Sequence, residues 1–289
     1  MKTFREQLRH ADFVVTASLL LHAETSADEL ERQLGALNGH VDAVVAGDNS
    51  TAEGHLSPLA AATIALRHDV DCVVELSCRD RNRVALHGEV LGAAAAGVTS
   101  LLLFRGDDIP EEARKVTQGV FEMKISQLIR LARAVGDNRA LMAAPGFVVG
   151  TRVRAFRPGE QWQAKRVTRK IDAGASFLVT QPCLNAESCR RYAARLVGNR
   201  VSHRASLIVE VPIITAEATV TGLLARLGGG ALSKPVLRSI VDAPDPVDAG
   251  IAAAATMLAD LRDMPGVAGA NLRFDRKPED VVAVIARTP

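Results

Sequence analysis

Aromatic side chains are scarce in this sequence of 289 residues: they make up 3%, with one tryptophan and one tyrosine. Proteins that hold single-stranded nucleic acid normally stack the bases on such rings. Charge of one sign is lacking too, because 35 lysines and arginines balance 33 aspartates and glutamates to a net charge of +2. A surface for nucleic acid or anionic lipid requires a clear basic excess. The composition therefore predicts neither partner, and it predicts an aliphatic core.

Cysteines and long apolar runs are also few. The cysteines fall in two pairs, each with a spacing of six residues, which is not a zinc-ribbon or CxxC spacing: Cys72, Cys78, Cys183 and Cys189. We find no His, Asp or Glu cluster with metal-ligand spacing, so we expect no metal site. The apolar run Val14–Leu21 is too short to span a bilayer, and no signal peptide is recognisable. These features predict a cytoplasmic protein with reduced thiols.

Short β-branched runs alternate with longer segments of helical period along the chain. The runs are almost continuously apolar, which is typical of parallel strands covered on both faces. Eight strand–helix units predict an α/β fold, a single (β/α)8 TIM barrel over residues 1–289. A doubly wound open sheet is the alternative, although no Gly-x-Gly-x-x-Gly follows the first strand. The predicted strands are Phe13–Leu21, Val41–Ala46, Asp71–Leu76, Ser100–Phe104, Ala140–Ala144, Ser176–Thr180, Leu207–Val211 and Gly269–Phe274.

Helix signals fill the segments between these strands. Ser26 and Glu29 have the spacing of a capping box, and Gly174 follows a helical stretch as a C-cap would. Residues 229–264 show helical stretches without a strand, which predicts extra helices between the seventh and eighth strands. The stretches 214–228 and 248–262 are rich in alanine and leucine. Such faces can form subunit interfaces, so a homo-oligomer is one expectation.

Polar residues collect where the predicted strands end, which is where a barrel carries its chemistry. Asp48 follows the second strand and Glu75 ends the third. Burial among apolar neighbours would raise the pKa of Glu75 toward the range of a general acid. The alternative for Glu75 is an ion pair with Arg105 or with an arginine of the segment 79–83. For Asp48, which follows a glycine, the alternative is a turn residue.

Three stretches together resemble the methylenetetrahydrofolate reductase family. They are Leu103-Phe104-Arg105-Gly106-Asp107, then Lys170-Ile171-Asp172-Ala173-Gly174-Ala175 with Val179-Thr180-Gln181, and Leu76-Ser77-Cys78. The resemblance implies a (β/α)8 flavoenzyme that carries FAD. It further implies hydride transfer between NADH or NADPH, the flavin and folate, which interconverts 5,10-methylenetetrahydrofolate and 5-methyltetrahydrofolate.

The same resemblance implies roles for individual residues. Asp107 would lie beside flavin and pterin and take part in catalysis, and Gln181 would contact the folate. The alternatives are a strand-end cap for Asp107, solvated helix charges for the basic residues of the second stretch, and a rim amide for Gln181. The implied cofactor-binding residues are Arg105, Gly106, Asp107, Arg169 and Lys170.

The chain departs from the family where the proton donor should be. The glutamate near the end of the first strand falls on Ser18 or Leu19, and a flavin-side tyrosine falls on Ala144. We therefore expect Glu75 to be the catalytic acid. Asp48 is the second candidate for the acid, and we expect it to bind substrate. Three alternatives stay open. The altered flavin side favours a flavin-free reductase, and the missing glutamate favours a folate- or flavin-binding subunit that needs a partner. A pterin-binding methyltransferase is the third.

Overall fold

A computed structural model describes residues 2–49, 54–143, 146–155, 162–216, 232 and 234–288. Eight parallel strands pair in chain order, and the last pairs with the first, so the sheet is a closed barrel. The predicted (β/α)8 fold class is confirmed. The strands are β1 (Val14–Ser18), β2 (Ala43–Ala46), β3 (Cys72–Ser77), β4 (Ser100–Phe104), β5 (Val148–Val153), β6 (Phe177–Thr180), β7 (Ser206–Pro212) and β8 (Gly269–Arg273).

Helices surround the barrel, and α8 and α9 provide the predicted extra helices between β7 and β8. Within the described ranges no helix has the length and apolarity to cross a bilayer. Most of the stretch 214–228 lies outside the described residues. The helices are α1 (Phe4–His10), α2 (Ala27–Leu37), α3 (Pro58–Arg67), α4 (Arg83–Ala95), α5 (Ile125–Asp137), α6 (Lys165–Asp172), α7 (Ala186–Gly198), α8 (Lys234–Val241), α9 (Pro246–Arg262) and α10 (Glu279–Arg287).

The helix-end signals read from the sequence are present. The Ser26 hydroxyl caps α2 by accepting a hydrogen bond from the Glu29 N–H at 3.2 Å. After α6, Gly174 has a φ of +119°, a conformation that favours glycine. Its N–H donates to the Ile171 carbonyl, and the Ala175 N–H donates to the Lys170 carbonyl. The N-cap and C-cap are therefore confirmed. The predicted capping box is only half formed, because the Glu29 carboxylate binds Arg32.

The fifth strand lies later than predicted. The prediction of Ala140–Ala144 was wrong: residues 140–143 form a turn after α5, and β5 is Val148–Val153. Ala144 itself lies outside the described residues. Gly150 and Arg152 interrupt the apolar pattern of the true strand. A Cβ on Gly150 would lie 2.2 Å from the Phe177 ring, so the glycine makes room for an aromatic ring in the barrel.

The lower half of the barrel interior is filled. Phe4 of α1 enters from the N-terminal end and packs edge-to-face on Phe177, with ring centroids 5.2 Å apart. Its N–H donates to the carboxylate of Asp71, which directly precedes β3. Aliphatic side chains pack around these rings, so the open end of the interior is the C-terminal mouth. They include Val45, Val73, Leu102, Val179 and Ile208.

The contact between α9 and the end of β7 has no room for a side chain. A Cβ on Gly250 would lie 1.7 Å from the Ile214 carbonyl oxygen. We expect Gly250→Ala to lower the free energy of unfolding by about 3 kcal/mol, because backbone has to move. Gly88→Ala in α4 is the control: no atom lies within 4 Å of its Cβ, and helix propensity should raise stability by roughly 0.5–1 kcal/mol. Urea unfolding measures the free energy of unfolding of both variants. Equal stability of the two would contradict the close contact between Gly250 and Ile214.

Candidate active site

A partly buried arginine joins two buried carboxylates across the mouth of the barrel. The Arg152 guanidinium on β5 donates from Nε to Glu75 Oε1 on β3 at 2.9 Å, and from Nη2 to the same oxygen at 2.5 Å. Its Nη1 donates to Glu210 Oε2 on β7 at 2.7 Å. The three side chains come from alternate strands, which is how residues of one interior layer meet.

A second arginine completes this group. Arg273, the last residue of β8, places Nη1 3.5 Å from Glu210 Oε1. We call Glu75, Arg152, Glu210 and Arg273 the charge cluster. The side chains of Glu75 and Glu210 are 4% and 1% exposed, whereas those of Arg152 and Arg273 are 21% and 34% exposed. The arginines therefore present the accessible surface of the cluster to the mouth.

The protonation of the cluster is set by opposing effects. Burial raises the pKa of Glu75, the positive charge of Arg152 lowers it, and the nearby Glu210 raises it again. Burial also lowers the pKa of Arg152, but the two carboxylates outweigh this effect and raise it. Arg152 is therefore a permanent cation, and Glu75 is a carboxyl group whose proton affinity depends on the neighbouring charges.

Glu75 lies at the mouth as the sequence predicts, but its partner is a different arginine. Neither Arg105 nor the segment 79–83 forms its ion pair; Arg152 does. The other carboxylate oxygen, Oε2, accepts a longer hydrogen bond of 3.3 Å from the Asp48 N–H. That oxygen is the one less tightly held and the better placed to exchange a proton. The role of Glu75 as the acid stays a prediction.

Asp48 fixes the neighbouring strand ends. Its side chain is 1% exposed, and Oδ2 accepts a hydrogen bond from the Ser77 N–H at 2.7 Å. Arg81 binds both of its oxygens, at 2.9 Å and 3.2 Å. Substrate binding by Asp48, as predicted, would require Arg81 to release it. The geometry shows a carboxylate that holds the ends of β2 and β3 together.

The loop after β4 forms one side of the rim. Gly106 has a φ of +86°, and a Cβ there would lie 2.6 Å from Arg79 Cβ, so the backbone turns tightly over Arg79. The Arg105 guanidinium lies 4.2 Å from the centroid of the Phe121 ring and 2.8 Å from Asp108. Asp107 is 67% exposed, 3.7 Å from Arg154. The Arg-Gly-Asp sequence thus places a solvent-facing acid at the rim.

The basic pair on α6 divides between interior and surface. The Lys170 ammonium donates to the Arg152 carbonyl at 2.6 Å, so it lies directly behind the charge cluster. Burial, aided by the charge of Arg154, lowers the pKa of Lys170 to about 8. Arg169 is exposed, and its Nε donates weakly to Lys165 in the same helix, at 3.4 Å. The structure brings Lys170 to the mouth, and it leaves Arg169 on the helix surface.

The remaining strand ends supply amides and hydroxyls. Gln181 directly follows β6, is partly exposed, and by strand alternation falls on the same side as the interior residue Val179. At β1 the Ser18 hydroxyl accepts a hydrogen bond from the Asn271 side chain, which in turn accepts one from Thr16, both at 2.9 Å. Leu19 is buried. The end of β1 therefore carries a neutral polar chain where the family has an acid.

Sequence reasoning missed three of the four members of the charge cluster. Arg152 was hidden by the wrong position of the fifth strand. Glu210 and Arg273 lie in strands that were predicted correctly. A single charged residue inside an apolar strand signals an interior partner, and that signal was available for Glu210. Among the described residues, no three His, Cys, Asp or Glu side chains are placed to share a metal ion.

Removal of Arg152 tests the importance of the cluster. We expect Arg152→Met to lower the free energy of unfolding by about 3–5 kcal/mol at pH 7.5, because two buried carboxylates lose their cation. Their folded-state pKa values then rise above the unfolded ones, so the deficit should shrink as the pH falls from 7.5 toward 5. Arg105→Ala, at an exposed ion pair, is the control and should cost at most about 1 kcal/mol. A deficit that does not depend on pH would contradict this account.

Comparison with known proteins gives a family for this chain and solved structures that share its fold. The family model described as methylenetetrahydrofolate reductase matches residues 27–261. A Clostridium thermocellum protein that binds two copies of 5-methyl-5,6,7,8-tetrahydrofolic acid has a similar structure, with a TM-score of 0.70 and 11% identity over 98% of this chain and 97% of that one. The fold is shared by DmoA from Hyphomicrobium sulfonivorans, with a TM-score of 0.57 and 11% identity over 95% of this chain and 86% of that one. It is also shared by a 2,3-dimethylmalate lyase, with a TM-score of 0.54 and 14% identity over 94% of this chain and 80% of that one. The match over most of its length shows that this chain belongs to the methylenetetrahydrofolate reductase family.

Proposed function

We propose that this chain is a folate-dependent oxidoreductase that interconverts 5,10-methylenetetrahydrofolate and 5-methyltetrahydrofolate, with NAD(P)H as the hydride source and FAD as cofactor. The observation that carries the proposal is the charge cluster: it provides a buried carboxyl group at the mouth of a barrel of this family. The binding of methyltetrahydrofolate by the structurally similar clostridial protein supports a folate as the ligand of this mouth.

Lys170, and Arg169 on the outer surface of the same helix, supply donors of the kind that flavin phosphates require. The Lys170 ammonium uses one donor on the Arg152 carbonyl and carries two further hydrogens, and Arg169 exposes a guanidinium on the same helix. A phosphate accepts hydrogen bonds from both kinds of group. The Phe104 ring, 5.6 Å from the Arg152 guanidinium, offers an apolar face at the mouth. Lys170, Arg169 and the Arg105–Asp107 loop would hold FAD, which when bound supplies the hydride transfer.

Asp107 and Gln181 are the proposed pterin contacts. A carboxylate accepts hydrogen bonds from the amino group and ring N–H of a pterin, and an amide both donates and accepts. Asp107 is exposed at the rim and Gln181 is partly exposed across the mouth, so both can reach a ligand that enters from solvent. Neither has to break a short ion pair to do so, since the Asp107–Arg154 distance is 3.7 Å.

Glu75 is the proposed source of the proton. When the five-membered ring of methylenetetrahydrofolate opens, a ring nitrogen must be protonated as its bond to the one-carbon unit breaks. Glu75 Oε2 is held only by the 3.3 Å bond from the Asp48 N–H among its described contacts, while Oε1 binds Arg152. Burial raises the pKa of this carboxyl group, which favours the protonated form that a general acid needs.

A flavin-free folate-binding protein is the second candidate, and one observation favours it. Lys170, which would serve the flavin phosphates, already donates to the Arg152 carbonyl at 2.6 Å and supports the charge cluster. The clostridial protein binds two copies of methyltetrahydrofolate. The visible spectrum of the purified protein after addition of FAD and desalting separates the two candidates: retained flavin bands support the first, and a colourless protein that still binds folate supports the second.

Glu75→Gln tests the acid. The amide cannot deliver the proton, so we expect kcat with folate to fall by about 10²–10⁴-fold. Retained folate affinity and retained flavin would show that the loss lies in proton transfer. Asp71→Asn is the control, since it neutralises a buried carboxyl group at the opposite end of the same strand and should leave kcat close to wild type. Full activity of Glu75→Gln would remove Glu75 from the mechanism.

Lys170→Gln tests the cofactor site. Loss of a charged donor to phosphate should weaken FAD by about 10–100-fold, measured by fluorescence titration. Because the pKa of Lys170 is about 8, the cation is lost above that pH, so the wild type should bind FAD more weakly at pH 9 than at pH 7. The variant should show little of this change. Lys165→Gln, at an exposed position of the same helix, is the control; equal effects of both substitutions would contradict the assignment.

All four cysteines are free and buried in the structure, which is consistent with activity in a reducing cytoplasm. We propose action on a small folate without nucleic-acid or membrane partners. A homo-oligomer and a single domain over residues 1–289 stay predictions, which light scattering and limited proteolysis test directly.

A further inference from the structure

Two carboxylates, those of Asp48 and Glu89, share the Arg81 guanidinium unequally. Arg81 donates from Nη1 and Nη2 to the two oxygens of Asp48, at 2.9 Å and 3.2 Å. Its remaining donor, Nε, lies 3.7 Å from Oε1 of Glu89 on α4, which is an ion pair but too long for a hydrogen bond. A shift of the guanidinium by about 1 Å would bring Nε within hydrogen-bond distance.

Glu89 is short of hydrogen-bond donors. Its Oε2 atom is buried, and within the described part of the chain no group donates a hydrogen bond to it. An unpaired buried oxygen of a charged group costs free energy that a donor would recover. Asp48, by contrast, keeps two backbone donors when the arginine leaves. Its oxygens accept from the Ser77 N–H at 2.7 Å and from the Asn49 N–H at 3.0 Å. Transfer of Arg81 to Glu89 would therefore leave both carboxylates with donors.

Arg81 stays charged and reaches solvent, so it can move between the two carboxylates. Burial lowers the pKa of its guanidinium, but the charges of Asp48 and Glu89 outweigh this effect and raise it. The Arg81 side chain is 17% exposed, whereas that of Asp48 is 1% exposed. Arg81 is thus the accessible partner of a buried carboxylate, and a ligand that arrives from solvent meets it first.

The fork that Arg81 forms on Asp48 has the donor pattern of a pterin edge. Two neighbouring N–H groups point at the two oxygens of one carboxylate. The amino group and the adjacent ring N–H of a pterin form the same kind of donor pair. Asp48 also lies next to the candidate acid, because its N–H donates to Glu75 Oε2 at 3.3 Å. A pterin bound in place of the guanidinium would therefore lie close to Glu75.

We propose that the pterin of a folate displaces Arg81 from Asp48, and that Arg81 then pairs with Glu89. This inference rests on the proposed function and deepens it, because it adds a buried carboxylate for the pterin to the exposed Asp107 at the rim. Asp107 meets the folate as it enters, and Asp48 holds it in the seated complex. Asp48 is then a binding residue, and Arg81 and Glu89 are positioning residues that set the free energy of the exchange.

Folate affinity tests the exchange, measured by calorimetric titration of the full chain with 5-methyltetrahydrofolate at pH 7.5. Glu89→Gln removes the charge that receives Arg81, so we expect Kd to rise about 5–10-fold. Arg81→Met removes the competitor for Asp48, so we expect Kd to fall about 10-fold. The double variant should bind like Arg81→Met, because Glu89 acts only through Arg81.

The direction of these changes separates exchange from damage to the fold. A merely structural Arg81–Asp48 pair predicts weaker folate binding by Arg81→Met and no effect of Glu89→Gln. Glu279→Gln removes an exposed carboxylate 3.6 Å from Arg32, and as the control it should match the wild type.

Unchanged affinity of Glu89→Gln, or weaker binding by Arg81→Met, would overturn this inference and leave the proposed function standing. If Arg81→Met does not fold, the result for Glu89→Gln decides alone. Failure of the wild type to bind folate would overturn both the inference and the proposed function.

Discussion

The arrangement of the mouth depends on one interaction, the buried ion pair of Arg152 with Glu75 and Glu210. A carboxylate that is only 1–4% exposed has almost no water to solvate it, so its charge depends on protein groups. Arg152 supplies that charge for two strands at once, and Lys170 fixes the Arg152 backbone from behind. Glu75, Glu210 and Lys170 are therefore linked through one residue.

The rest of the barrel makes this interaction possible. Phe4 and Phe177 close the lower interior, so the charged side chains lie in the upper layer, where they can reach the mouth. Gly150 contributes by leaving space for the Phe177 ring one layer below Arg152. Asp48, bound to Arg81 and to the Ser77 N–H, holds the ends of β2 and β3 beside Glu75. These are packing requirements, and they place the charge cluster at one end of the barrel.

The chain belongs to the methylenetetrahydrofolate reductase family, but its barrel mouth differs from the family pattern at the end of β1. The Arg-Gly-Asp loop keeps an exposed acid at the rim. The end of β1 instead carries Ser18, linked to Asn271 and Thr16, which cannot donate a proton at neutral pH as a carboxylic acid can. In the charge cluster the buried carboxyl groups are on β3 and β7 instead, at Glu75 and Glu210. Strand ends converge in a barrel, so a group from another strand can approach the same ligand atom.

Local patterns in the sequence determined the barrel and most strand positions. They also determined the N-terminus of α2, the C-terminus of α6, and the strand-end positions of Glu75 and Asp48. Apolar runs and helix caps depend on residues that are near neighbours in the chain. They did not determine the position of β5, where Gly150 and Arg152 break the apolar pattern. Both residues are required by side chains on other strands, Gly150 by the Phe177 ring and Arg152 by Glu75. Nor could local patterns pair Glu75 with Arg152, which are 77 residues apart in the chain. Only the closed barrel decided those contacts, because the partners of a buried charge are set by which strands face each other across its interior.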